Sequence, residues 1–220
     1  MQDHGPGQVQ RPDEFDFGVT WLMSMFHEDW THHGPEAATA VRYHFWEGLD
    51  QESVLAVRRD ARLLLRGLPS ATIEALWQAG TATGPEFFSG GRTGVTSGAR
   101  WMETLIGLCD AWLAAHQHDA APSTDAIGAG DGVELADEVL AEIGRAGILP
   151  DTIRRDLAEC AHRCTPDLAF RLLLRAMHRA GTESRAQLSP EEYTRLEALG
   201  TALDYGEFVV SEVKYLVADD

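Results

Sequence analysis

The sequence predicts an all-α protein built as two small helical bundles joined by a Gly/Ala/Pro-containing linker. Three observations lead there. Apolar residues recur at helical spacing along most of the 220-residue chain. No stretch alternates apolar and polar residues as a half-buried strand would. The periodicity fails in "HQHDAAPSTDAIGAGDG", residues 116–132, where small, polar and Pro/Gly residues gather as they do between domains. The predicted division is a flexible N-terminal segment over 1–16, a helical domain over 17–116, a linker over 117–132 and a second helical domain over 133–220.

Each element has its own warrant. Trp21, Leu22, Met25 and Phe26 make the first apolar stripe. Pro35 suits the first position of a short helix whose Val41 and Phe45 face inward, and Gly48 precedes Asp50, the cap of the next helix. That helix carries Val54, Val57, Ala61, Leu64 and Leu65 on one face. In "SATIEALWQAG" Ser70 is the expected cap, Ile73, Leu76 and Trp77 the packed face, and Gly80 the stop. Residues 81–98, "TATGPEFFSGGRTGVTSG", read as a long loop with little apolar material to bury. They lack the strand, helix start and Lys-Ser/Thr of a phosphate-binding loop, so their glycines read as turn formers. Trp101, Leu105, Leu108, Cys109 and Trp112 form a third stripe.

The second half repeats the helical period. Ile153, Leu157, Cys160 and Cys164 share a face, and Thr165 followed by Pro166 opens a helix bearing Leu172, Leu173, Ala176 and Met177. "LSPEEY" has the form of a capping box, with Ser189 and Glu192 as its pair, Pro190 in the first turn, and Leu188 placed to staple onto Tyr193. Val209, Val213 and Leu216 mark a terminal helix.

Charge bounds the function. There are 35 acidic and 18 basic residues, a formal net charge of −17, which disfavours nucleic acid, anionic lipid and phosphate-rich substrates and favours a basic protein partner. Acidity also serves solubility alone. No apolar run reaches the roughly 18 residues of a membrane span. The first residues lack a basic start and an apolar run, and three cysteines suit a reducing compartment, so the expected location is cytoplasmic.

The residues richest in chemistry are "FHEDWTHHGP", Phe26 to Pro35. His27 and His32 are five apart and His32 and His33 adjacent, so no pair shares a helix face as an i, i+4 zinc pair would, and the HExxH spacing is missing. The stretch reads as a helix end with exposed polar residues and Trp30 packed inward. In "CAHRC" both cysteines lie on the apolar stripe and His162 does not, which favours buried structural thiols. His116 and His118 cannot converge on a helix. No nucleophile motif or spaced carboxylate pair stands out, so the expectation is a non-enzymatic protein with no cofactor and no metal.

"WLMSMFHEDW", then "VLAVRRDARLLLRGLPSATIEALWQAGT", then "GARWMETLIGLCDAW" resemble the helical immunity proteins of contact-dependent growth inhibition systems, whose single-domain group carries a Phe-His-Gln-Asp-Trp-like motif near its start. The resemblance covers residues 17–115 and is carried by Phe26, His27, Asp29 and Trp30; Glu28 stands where Gln is usual, and the Gly-rich loop is longer and less aromatic. Residues 153–217, with "LAFRLLLRAMHRAG" and "LSPEEYTRLEALGTALDY", are similar to the immunity proteins of Maf-type polymorphic toxins. The resemblance implies a protein that binds and neutralises a cognate toxin domain by stoichiometric occlusion. It implies a basic toxin domain as partner, with neither nucleic acid nor membrane. The expected toxin-binding residues are His27, Glu28, Asp29, Glu36, Glu86, Asp125, Asp131, Glu134 and Asp137. An acidic helical scaffold or regulatory module, and a metal-dependent helical enzyme, are the alternatives from other classes.

Overall fold

A computed structural model describes residues 16–34, 36–116, 131–184 and 186–218. The predicted N-terminal segment up to 15, Pro35, most of the predicted linker, and Asp125 within it lie outside the described residues. The described chain is all-α. Its helices are α1 (Gly18–Ser24), α2 (Ala37–His44), α3 (Gln51–Gly67), α4 (Ser70–Gly80), α5 (Gly98–Ala115), α6 (Ala136–Arg145), α7 (Asp151–Arg163), α8 (Pro166–Ser184), α9 (Pro190–Ala202) and α10 (Glu207–Ser211). Among the described residues the one β-type pairing is an isolated parallel bridge between Leu188 and Val217. No described helix is long and apolar enough to cross a membrane.

Local signals set the helix starts. The Asp50 carboxylate accepts the Ser53 N–H at 2.8 Å and opens α3. Thr165 Oγ1 accepts the Leu168 N–H at 3.1 Å ahead of Pro166 in α8. At α9 the capping box is complete: Ser189 N–H donates to Glu192 at 2.7 Å and Glu192 N–H to Ser189 at 3.2 Å. Such caps satisfy amide donors that the first helical turn leaves unpaired. Ser70 acts differently from its predicted role. Pro69 occupies the cap position of α4; Ser70 Oγ accepts the Ala99 N–H at 3.0 Å while Glu74 accepts the Gly98 N–H at 2.9 Å. The first turn of α4 therefore caps α5, tying together two helices far apart in sequence.

The two halves share one core, where the sequence predicts two separate bundles. α3 packs on α5 and α1, α7 on α8, and α4 bridges the halves by lying against both α8 and α7. Buried side chains from Val19 to Leu216 form a single cluster. The cause is α8. Every residue from Pro166 to Met177 is buried, so this helix has no solvent face over three turns and needs partners all round. Reading Leu172, Leu173, Ala176 and Met177 as a stripe identifies one face; Leu174 and the buried charged residues Asp167, Arg171 and Arg175 fill the opposite one. At the join, a Cβ on Gly67 would lie 2.7 Å from Cys164 Sγ and 2.8 Å from the Arg163 carbonyl, an approach that only glycine permits.

The 81–98 segment is also more tightly held than predicted. Its Pro85–Phe88 3₁₀ turn sends Phe87 into the core, where it is fully buried. The Phe87 carbonyl accepts the Thr93 hydroxyl at 2.6 Å, Gly90 N–H donates to the Val95 carbonyl at 2.8 Å, and Ala37 N–H donates to the Thr93 carbonyl at 3.0 Å. One buried ring and these bonds anchor a segment that composition alone marks as loose.

Candidate functional site

The Phe26–Trp30 motif divides into an anchor and a display. Phe26 and Trp30 are buried, whereas His27, Glu28 and Asp29 between them are exposed. Phe26 is ringed by aromatics, its centroid lying 5.3 Å from Trp30, 5.2 Å from Trp77, 5.7 Å from Phe87 and 5.8 Å from Trp101. Three of these pairs are edge-to-face, the arrangement favoured by ring quadrupoles. The exposed segment is thus fixed at both ends. Within it the Asp29 N–H donates to His27 Nδ1 at 3.2 Å, which leaves the proton of a neutral imidazole on Nε2.

Glu86 is exposed immediately before Phe87, which packs against both Phe26 and Trp30. Glu36, also exposed, precedes Ala37, whose N–H is held by the same segment through Thr93. His27, Glu28, Asp29 and Glu86 thus flank residues of one aromatic cluster, and Glu36 precedes a helix tied to the same segment. Glu134 and Asp137 are exposed at the start of α6, in the other half of the chain. Asp131 belongs to the interior: it is 5% exposed, pairs with Arg59 of α3, and its carbonyl accepts the Asp167 N–H at 3.0 Å. A carboxylate so placed holds the second half to the first.

The centre that sequence reading misses is a buried ionic network at the same seam. Arg171 of α8 donates to both Asp60 oxygens, at 2.9 and 3.1 Å, in the fork geometry that suits a carboxylate. It also reaches Asp167 at 3.0 Å, the Phe17 carbonyl at 2.9 Å and Thr20 Oγ1 at 3.1 Å. Its guanidinium carbon lies 4.3 Å from the Phe17 ring centroid. Burial works against the charge, but Asp60 and Asp167 outweigh it and hold the Arg171 pKa well above its usual value. Asp60 additionally accepts the Val19 N–H at 2.9 Å, and Asp167 the Tyr205 hydroxyl at 3.0 Å.

The close fit requires Gly18, whose φ is +65° and where a Cβ would fall 2.0 Å from Asp60 Oδ2. Beside this centre, burial pushes the Asp16 carboxyl up despite the Thr20 hydrogen bond and the attraction of Arg171 and Arg175. The signal for the network was present in the sequence: Asp60 stands on the Val57/Ala61/Leu64 face, and Arg171 is enclosed by apolar residues on α8. A charge on an apolar face needs a partner.

The three cysteines are buried. Burial pushes the Cys109 thiol up to about 12; the hydrogen bond with Cys164, followed by burial, raises Cys160. Such thiols are poor nucleophiles. Cys164 donates to the Leu63 carbonyl at 3.3 Å, and His162 is exposed off that face. Among the described residues no three His, Cys, Asp or Glu side chains converge as metal ligands would. A depression lined by Glu142, Arg145, Ala146, Met177, Leu188, Glu192 and Leu196 holds about one water, and Glu142 there is engaged by Arg145 at 2.6 Å and Arg195 at 3.0 Å. Comparison with known protein families, with curated proteins and with solved structures finds no match for this chain in any of the three.

Proposed function

We propose that this protein is an immunity protein: it binds a cognate basic toxin domain one to one and neutralises it by occlusion. The observation that carries the reading is the form of the Phe26–Trp30 motif. Its two aromatic residues are sunk in a five-ring cluster, and its polar residues are held out between them. A segment fixed in this way loses little freedom on binding, which favours affinity. The charge of −17 supplies long-range attraction to a basic surface.

Co-expression tests the reading. Cells producing the toxin domain encoded beside this protein are expected to grow only when this protein is also made. Purified, the two chains should associate one to one through an interface of about 1,600 Å². The association rate should drop tenfold or more, on the order of the steering effect, as salt rises from low to several hundred millimolar. Changing Glu28, Asp29 and Glu36 together to lysine should slow association in the same manner. Equal killing with and without this protein, or a harmless neighbour, would overturn the proposal.

A further inference from the structure

We infer that the corner between α2 and α3, with Trp46 as its anchor, is a contact that grips the basic toxin domain. The inference rests on the function proposed above and adds to the Phe26–Trp30 motif a second contact that contributes to the affinity. Six tryptophans occur in the chain. Four are buried and Trp21 is half-buried, while Trp46 is 62% exposed. Tyr43, three residues earlier, is 61% exposed. Tryptophan and tyrosine dominate the few positions that carry most of an interface's binding energy, and two such rings on one helix end form a concentrated apolar target.

The backbone beneath Trp46 is fixed. Its carbonyl accepts the Trp112 indole N–H at 3.2 Å and the Leu49 N–H at 3.1 Å. Phe45, one residue before, is buried, so the chain direction holds the next ring outward. The Trp46 ring leans forward over Gly48, 3.6 Å from where a Cβ there would lie. The backbone that carries the anchor is therefore fixed before any partner arrives, which cuts the ordering cost of association.

Charge selects the occupant. Residues 36–52 carry Glu36, Glu47, Asp50 and Glu52 against a single arginine, Arg42. Glu36 and Tyr43 are seven residues apart, two helical turns, so the outward ridge of α2 leads from the acidic rim of the motif to this corner. A second copy of the chain would bring another net charge of −17 against the first, and an anionic membrane is repelled for the same reason. A basic protein surface offering an apolar pocket ringed by Arg or Lys satisfies both the rings and the acids.

The test compares Trp46→Ala, Trp46→Phe and Glu47→Lys/Glu52→Lys with the wild-type chain for affinity to the toxin domain encoded next door, by calorimetric titration. Trp46→Ala is expected to weaken binding by about thirtyfold or more, with most of the loss in the dissociation rate. Trp46→Phe should recover part of it, and the double charge reversal should act mainly on association. Phe208→Ser, at an exposed ring of the second half, should bind within about twofold of wild type. Unfolding midpoints of all four variants, measured alongside, identify any loss that comes from misfolding.

If the wild type binds tightly and Trp46→Ala binds equally well, this inference falls and the proposed function stands. If the wild type does not bind the toxin domain at all, both fall. Concentration-dependent dimerisation, or retention on phosphatidylcholine vesicles, that is lost in Trp46→Ala would also overturn the inference, by giving the corner to another occupant.

Discussion

Arg171→Met is expected to destabilise the protein by about 3–5 kcal/mol, the typical effect of breaking a buried ion pair from one side. For a chain of this size that corresponds to a fall of about 6–20 °C in the melting temperature. The cost arises because Asp60 and Asp167, each 2% exposed, would keep their charges without the guanidinium that compensates them. The backbone would suffer as well. The Phe17 carbonyl and the Thr20 hydroxyl oxygen lose Arg171 as their donor, and the start of α1 loses its polar tie to α8. Lysine is a poor substitute, since a single ammonium cannot reproduce the two-pronged contact with Asp60. Adding Asp60→Asn and Asp167→Asn to Arg171→Met should restore part of the stability: no charge is stranded, and the amide oxygens still serve the Val19 N–H and the Tyr205 hydroxyl. Urea titration of the single and triple variants measures both effects. A single variant that unfolds at the wild-type urea concentration would show that the network does not hold the halves together.

Phe26→Ala is the second large effect, with an expected cost of about 3–5 kcal/mol. Phe26 is 1% exposed and touches Trp30, Trp77, Phe87 and Trp101. Its removal leaves a cavity that four large rings cannot close without giving up their contacts with one another. The functional consequence follows from the same geometry. With the anchor gone, His27, Glu28 and Asp29 lose one of their two fixed ends, so binding should weaken beyond what the folded fraction explains. Phe88→Ala is the internal comparison: this ring is only half-buried, and its loss should cost clearly less. Equal costs at positions 26 and 88 would mean that the aromatic cluster is not the centre of the first half.

The parts of the fold that depend on spacing within about a turn are legible in the sequence. Asp50, Thr165 with Pro166, and the Ser189/Glu192 box lie at the helix starts where their chemistry places them. Val54, Val57, Ala61 and Leu64 face inward as their period demands, whereas Leu65 of the same predicted stripe is half-buried and Leu63 is buried instead. The Phe26–Trp30 motif was legible in the same way, since Trp30 is buried and the three residues before it are exposed. What escaped depends on partners distant in sequence. Nothing near Asp60 announces that its counterion is 111 positions away, and the adjacent Phe87 and Phe88 are chemically identical until the 3₁₀ turn buries one and leaves the other half out. Ser70 has the composition of a cap and serves a neighbouring helix instead. Asp131 reads as a surface acid because its only warrant was charge; Arg59 decides otherwise. Trp46 was hidden among the apolar residues of its stretch, because only packing reveals which ring in "HFWEG" is left outside.

The placement of the aromatic residues makes the two halves optically distinct. All six tryptophans fall between positions 21 and 112, while the second half contributes Tyr193, Tyr205 and Tyr215. Indole emission therefore reports on the first half alone, whereas the far-ultraviolet dichroism of helices reports on both. Trp77 and Trp101, whose rings lie 5.3 Å apart deep in the cluster, should emit to the blue and shift red only when that cluster opens. If the shared core makes the chain one cooperative unit, the emission shift and the loss of helical dichroism must trace a single superimposable curve in urea. Two separated curves would mean that the α8 helix can let go of α4 while the tryptophans remain dark to water.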